Sequence, residues 1–99
     1  MHRETKATAI PASVKMTVYE RDGGRCIFCG RNGQPVSHIV RRSRGGMGIA
    51  ENIITACPSC HREFDEGKRS ADMMETAVKY IKGFYPDWDE EKVKYKKWS

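Results

Sequence analysis

No run in this 99-residue chain approaches the roughly 20 apolar residues needed to span a bilayer, which excludes a helical membrane anchor. Hydrophobic residues make up 38% and mean hydropathy is −0.70. The supply of core-forming side chains is therefore thin for a domain whose size already limits how much surface it can bury. A staple is expected, and four cysteines are available to form one. The opening MHRETKATAIP has no apolar segment of the kind a secretory signal carries. The expectation is a cytoplasmic protein, where cysteines serve as metal ligands or free thiols in preference to disulfides.

Acidic residues are missing from one stretch altogether. Between Asp22 and Glu51 there is no aspartate or glutamate, while Arg25, Arg31, Arg41, Arg42 and Arg44 all fall inside it. That window carries a charge equal to the whole net +5, so the remainder balances to zero. The window also lacks lysine. Guanidinium forks make paired hydrogen bonds to phosphate oxygens, so an arginine-only window points to an anionic partner, nucleic acid before others.

The chain also lacks internal repeats and low-complexity tracts, and its length fits one domain. Residues 1–11 are polar and aperiodic and read as a flexible N-terminal arm. ASVKMTVYER, from Ala12 to Arg21, spaces Val14 and Val18 as a short helix does, and Asp22-Gly23-Gly24 stops it. Asn32-Gly33 suggests a hairpin turn. Pro35–Val40 and Asn52–Ala56 are short strand candidates separated by the basic, glycine-broken loop RRSRGGMGIA. Pro58 can open a helix that runs to Gly67, and Ser70 can cap a longer one over Ala71–Phe84. Residues 86–99 read as a helical extension carrying Trp88, Val93 and Trp98, capped by Asp87 or Asp89.

Two CxxC pairs, Cys26/Cys29 and Cys57/Cys60, can each give two thiolates from a tight turn. Together they complete a closed tetrahedral Zn²⁺ site, which is structural because no position is left for water or substrate. A redox dithiol needs a thioredoxin-like βαβ context that this pattern does not offer. Between and after the cysteines come Ser37-His38-Ile39, Glu51-Asn52 and Cys60-His61.

In that order, CxxC, SHI, the Gly-Gly basic loop, EN and CxxCH, the chain resembles the HNH endonucleases, above all the small phage and prophage type with a four-cysteine zinc ribbon. The resemblance covers about residues 20–67. It implies a small α+β protein with a ββα-metal fold, a structural four-cysteine zinc site and flanking helices, the nuclease domain spanning 12–85. It further implies an endonuclease that hydrolyses or nicks DNA phosphodiester bonds with Mg²⁺ or Mn²⁺, leaving 5′-phosphate and 3′-hydroxyl ends. His38 matches the general base, Asn52 the asparagine that holds the loop, and His61 a ligand of the catalytic metal. Arg41, Arg42 and Arg44 would grip the DNA backbone. Many members carry an acidic or histidine ligand just before the base. Here that position is Ser37, a hydroxyl and a poor divalent-metal ligand. That departure sustains an alternative, a non-catalytic zinc-stabilised DNA-binding or phage-packaging accessory module. A larger partner such as a phage packaging enzyme, or a second copy of the chain, is the expected company. The cytoplasm in question would be that of a bacterial host or phage-infected cell.

Overall fold

Two short antiparallel strands sit between helices in the computed structural model, which describes residues 7–95. The elements run α1 (Ala12–Arg21), β1 (Gln34–His38), β2 (Ile53–Ala56), α2 (Pro58–Glu66) and α3 (Ser70–Phe84). Single 3₁₀ turns lie at Arg42–Arg44, Ala50–Asn52 and Glu90–Val93. This is the small α+β architecture the resemblance implies, a ββα unit with flanking helices. Among the described residues no helix is long and apolar enough to cross a membrane.

The register of the sheet places the chemistry. Ser37 pairs with Ile54 and His38 with Ile53, after an irregularity between Gln34 and Ser37 that includes Pro35. Proline cannot donate to a ladder, so the break falls where the sequence has nothing to give. Successive strand residues face opposite sides. Ser37 thus shares the face of Ile54, which packs with Ile39, Phe64, Met73, Ala77 and Ile81 in the core against α2 and α3. His38 points the other way.

The helical stripe of α3 divides as its period dictates. Met73, Ala77 and Ile81 are buried, Met74 and Val78 half-buried, and Phe84 exposed. Ser70 does not act as the N-cap, a position taken by Arg69 with no side-chain cap. Its hydroxyl instead donates to the Phe64 carbonyl (2.7 Å) and ties α3 to the end of α2. Nor does Asn32-Gly33 make a hairpin turn. Asn32 bridges Arg25, and the turn between them closes at Gly30, whose φ of 82° suits a residue without Cβ.

Residues 7–11 are not a detached arm. Thr8 is buried, and Gly48 donates its N–H to the Ala7 carbonyl (3.2 Å). A Cβ on Gly48 would collide with the Ala9 carbonyl, so only glycine lets the two segments approach this closely. The arm's residues 1–6 lie outside the described residues. The C-terminal extension is likewise packed into the domain. Its helical part is the one turn Glu90–Val93, with the Asp89 carboxylate accepting from the Glu91 N–H (2.9 Å). Val93 is buried and its carbonyl accepts from Met47 N–H (2.9 Å). Trp98 lies outside the described residues.

A buried ion pair joins α1 to the sheet and to α3. Arg21 and Asp22 side chains are 7% and 0% exposed and meet at 2.7 Å. Arg21 also donates to the carbonyls of Ala50 (2.8 Å) and Ile53 (2.7 Å). Asp22 accepts from Thr55 N–H (2.9 Å) and from the Tyr80 hydroxyl (2.6 Å), which burial and this carboxylate push up to about 12. Asp22→Ala strands a guanidinium and two donors away from water. Breaking such a pair costs about 3–5 kcal/mol. The urea midpoint of the variant is expected to collapse, and a shift within error of the parent would remove this pair from the fold's supports.

Candidate active site and metal centre

The first CxxC sits on a turn held by Cys26 N–H to the Arg31 carbonyl (2.7 Å) and Gly30 N–H to the Cys26 carbonyl (2.9 Å). Ile27 N–H donates to the Thr55 carbonyl (3.0 Å), which pins this turn to β2. The second pair comes from the start of α2: Cys57 is its N-cap, Pro58 opens it, and Cys57 Sγ accepts from Cys60 N–H (3.4 Å). All four Sγ atoms lie within 4.8 Å of one another, and Cys29 and Cys57 Sγ are 3.6 Å apart. Sulfurs about 2.3 Å from a tetrahedral zinc are separated by about 3.8 Å, so the quartet is built to hold such an ion. The Cys60 N–H, before all else, lowers the Cys57 thiol to about 7, whereas burial pushes Cys60 up. One thiolate forms readily here, and ionising the rest calls for a cation among them.

One residue past Cys60, α2 turns its side chain by about 100° and presents His61 to a different space. His38 and His61 line one open cleft of about 680 Å³, together with Arg41, Arg42, Lys15 and Asp65. One helix thereby serves both the sulfur cluster and the cleft.

His38 ends β1, half-buried. Its Nε2 lies 2.8 Å from the Thr8 carbonyl, which can only accept, so Nε2 carries the proton and Nδ1 keeps its lone pair. Burial lowers the His38 pKa below its ordinary value. Arg42 and His61 push in the same direction, against the Thr8 carbonyl and Asp65.

Asn52 is fully buried behind the cleft. Its Oδ1 accepts from Val40 N–H (2.8 Å), and its Nδ2 donates to the carbonyls of Val40 (3.1 Å) and Met47 (2.9 Å). Its own carbonyl accepts from Ile39 N–H (2.8 Å). Asn52 therefore clamps both ends of the basic loop beside the strand that ends in His38.

Ser37 does not line the cleft. It is fully buried, with Oγ 2.5 Å from His61 Nδ1, so it holds the imidazole from beneath. The structure places this hydroxyl where it can orient His61.

The three loop arginines separate. Arg41 and Arg42 edge the cleft, and Arg42 Nε donates to Thr8 Oγ1 (3.3 Å). Arg44 lies outside the cleft and pairs with Glu90 across 3.5 Å, both exposed. Three cleft features escaped the sequence reading. Asp65 follows His61 by four residues, a spacing that puts both on one helix face and was legible in HREFD. Lys15 on α1 gave no signal beyond its charge. The Thr8 contact comes from a backbone carbonyl, which no side-chain pattern encodes.

Residues 26–65, which span both cysteine pairs, His38, Asn52, His61 and Asp65, match the family model described as HNH endonuclease. The chain is 32% identical over 72 residues to the type IV methyl-directed restriction enzyme EcoKMcrA of Escherichia coli (strain K12), a match covering 63% of this chain and 26% of that protein. It is 36% identical over 36 residues to Anaredoxin of Nostoc sp., covering 36% of this chain and 47% of that one. The chain thus spans about a quarter and about half the lengths of these two relatives.

Proposed function

We propose that this chain, whose residues 26–65 match the HNH endonuclease model, hydrolyses DNA phosphodiester bonds with His38 as general base. The observation that carries the reading is the shared cleft. It combines an imidazole with a lowered pKa and a free Nδ1, a second imidazole and carboxylate on the facing helix, and two arginines on the rim.

His38 Nδ1 accepts the proton of a water that attacks phosphorus as the P–O3′ bond breaks and the 3′-oxygen leaves to take a proton from solvent, while Thr8 keeps the ring in the required tautomer and direction. Asn52 fixes the loop so that His38 and the arginines keep their places. In the tautomer whose Nδ1–H donates to Ser37 Oγ, His61 Nε2 keeps a lone pair. Together with the Asp65 carboxylate, the hard oxygen donor that suits Mn²⁺ or Mg²⁺, this nitrogen would hold a divalent ion whose remaining positions go to water and phosphate oxygens. Such an ion, when bound, stabilises charge developing on the phosphate and the leaving oxygen. Arg41 and Arg42 hold flanking phosphates and read little sequence. The sulfur quartet takes Zn²⁺ as a structural ion.

Nicking of supercoiled plasmid across Mg²⁺, Mn²⁺ and chelator tests the proposal. Cleavage that needs the divalent ion supports it. Binding without cleavage under every condition returns the chain to the alternative of a DNA-binding accessory module.

The rim arginines make a separate prediction. Each phosphate contact released should reduce the slope of log affinity against log salt by about 0.9 on duplex DNA. Arg41→Ala and Arg42→Ala are each expected to do so between 50 and 200 mM salt, a range of about the size over which such slopes are resolved. Unchanged slopes in both would take the loop out of the DNA interface.

A further inference from the structure

On the other side of Arg41 from the catalytic cleft lies a second groove of about 650 Å³. Met74 and Val78, half-buried on α3, and Trp88 give it an apolar lining, while Arg41, Arg44 and Glu90 supply exposed charges. Trp88 is anchored by its Nε1 donating to the Glu51 carbonyl (2.7 Å). We infer that this groove receives an unpaired nucleobase of the DNA strand being cut. The inference deepens the nuclease reading and rests on it.

The reasoning begins with continuity. Arg41 lines both spaces, so a strand with a phosphate at this guanidinium has the adjoining nucleoside beside the groove. The chemistry of the walls then selects the occupant. An apolar surface that includes an indole suits the flat face of a base, which stacks with little regard to sequence. Arg44 and Glu90 are paired across an exposed 3.5 Å contact, with Lys94 also 3.3 Å from Glu90. Such an exposed pair is weak, so Arg44 can turn to a neighbouring phosphate while Glu90, kept by Lys94, accepts from the exocyclic amine of cytosine or adenine. A base held inside a duplex stack cannot enter without first being unpaired and unstacked, which costs free energy. The favoured substrate is therefore DNA with an unpaired nucleotide next to the cut, such as a single strand, a mismatch or a flap.

Binding separates this inference from the chemistry. The full zinc-loaded chain carrying His38→Ala, without Mg²⁺ or Mn²⁺, is titrated with two labelled duplexes of one sequence, one fully paired and one with a single mismatched nucleotide. We expect at least tenfold tighter binding of the mismatched duplex. Met74→Glu and Arg44→Ala should each reduce that preference to within twofold, with zinc content and helical signal kept. Two substitutions of different kinds, one on the half-buried wall and one on the exposed rim, guard against a loss that reflects folding alone. Equal affinities in the parent, or a preference that survives both changes, overturn the inference. So does a monomer–dimer equilibrium that Met74→Glu abolishes without any base preference, which would make a second copy the occupant. Plasmid nicking by the native chain with no mismatch preference leaves the nuclease reading standing and removes the groove. A mismatch preference without nicking does the reverse.

Discussion

Replacing His38 by alanine should lower the rate of plasmid nicking by about 10² to 10⁴-fold, the usual cost of removing a general base, and leave zinc content and DNA affinity near those of the parent. The separation is possible because of where His38 sits. It is at the last position of β1 on the face away from the main core, half-buried, and its ring hydrogen-bonds the Thr8 carbonyl. Nothing in the sulfur cluster depends on it. The pH profile gives a second handle on the same group. Burial lowers the His38 pKa below 6.5, and the proton-accepting form is the neutral one. Activity should therefore rise with pH through a value below 6.5 and be level by neutrality. Deleting residues 2–9 removes the Thr8 carbonyl and frees the tautomer, which should lower kcat while the four-sulfur site still loads. Nicking at the parental rate by His38→Ala would end the general-base assignment.

How much of this was legible beforehand depends on what kind of group carries each feature. The sulfur quartet and the His38, Asn52, His61 series are side-chain patterns with fixed spacing; the fold gathers the four sulfurs and puts His38 and His61 on one cleft, with Asn52 bonded to the loop beside it. The strands were found within two residues of their ends because β-branched runs flank the glycine-rich loop on both sides. What escaped was of two kinds. Residues 7–11 look like an arm because nothing apolar in them repeats, yet they are held by backbone carbonyls at Ala7 and Thr8 that composition cannot reveal. Arg21 and Asp22 read as a helix end and a breaker, when in fact they form a buried pair with partners 29 to 58 residues away. Long-range polar contacts of this sort have no local period. Ser37 lies between the two kinds. Its position beside His38 was visible, but its contact with His61 followed only from the strand register, which turns it toward α2.

Cys57→Ser is expected to have the largest structural effect, and it isolates the metal's share. Cys57 is the N-cap of α2, its sulfur accepting the Cys60 N–H. Serine is among the best N-cap residues, so the substitution keeps a cap and removes a thiolate. Any loss of fold then belongs to the ion. A structural zinc site contributes roughly 10–16 kcal/mol in small zinc domains, as much as the whole stability of an ordinary domain, about 5–15 kcal/mol. The apolar core here is small. The quartet also ties the first turn, which reaches β2 through the Ile27 N–H and α2 through the Phe28–Phe64 ring contact (5.4 Å), to the start of the helix that carries His61 and Asp65. The parent should bind one zinc per chain. Cys57→Ser should bind little, lose most of its helical circular dichroism at 25 °C, and be inactive, because α2 no longer presents His61 to the cleft. Cys29→Ser, which touches no helix cap, should behave alike. A Cys57→Ser protein that keeps the parental melting temperature, or a folded parent that contains no zinc, would show that the core stands without the staple.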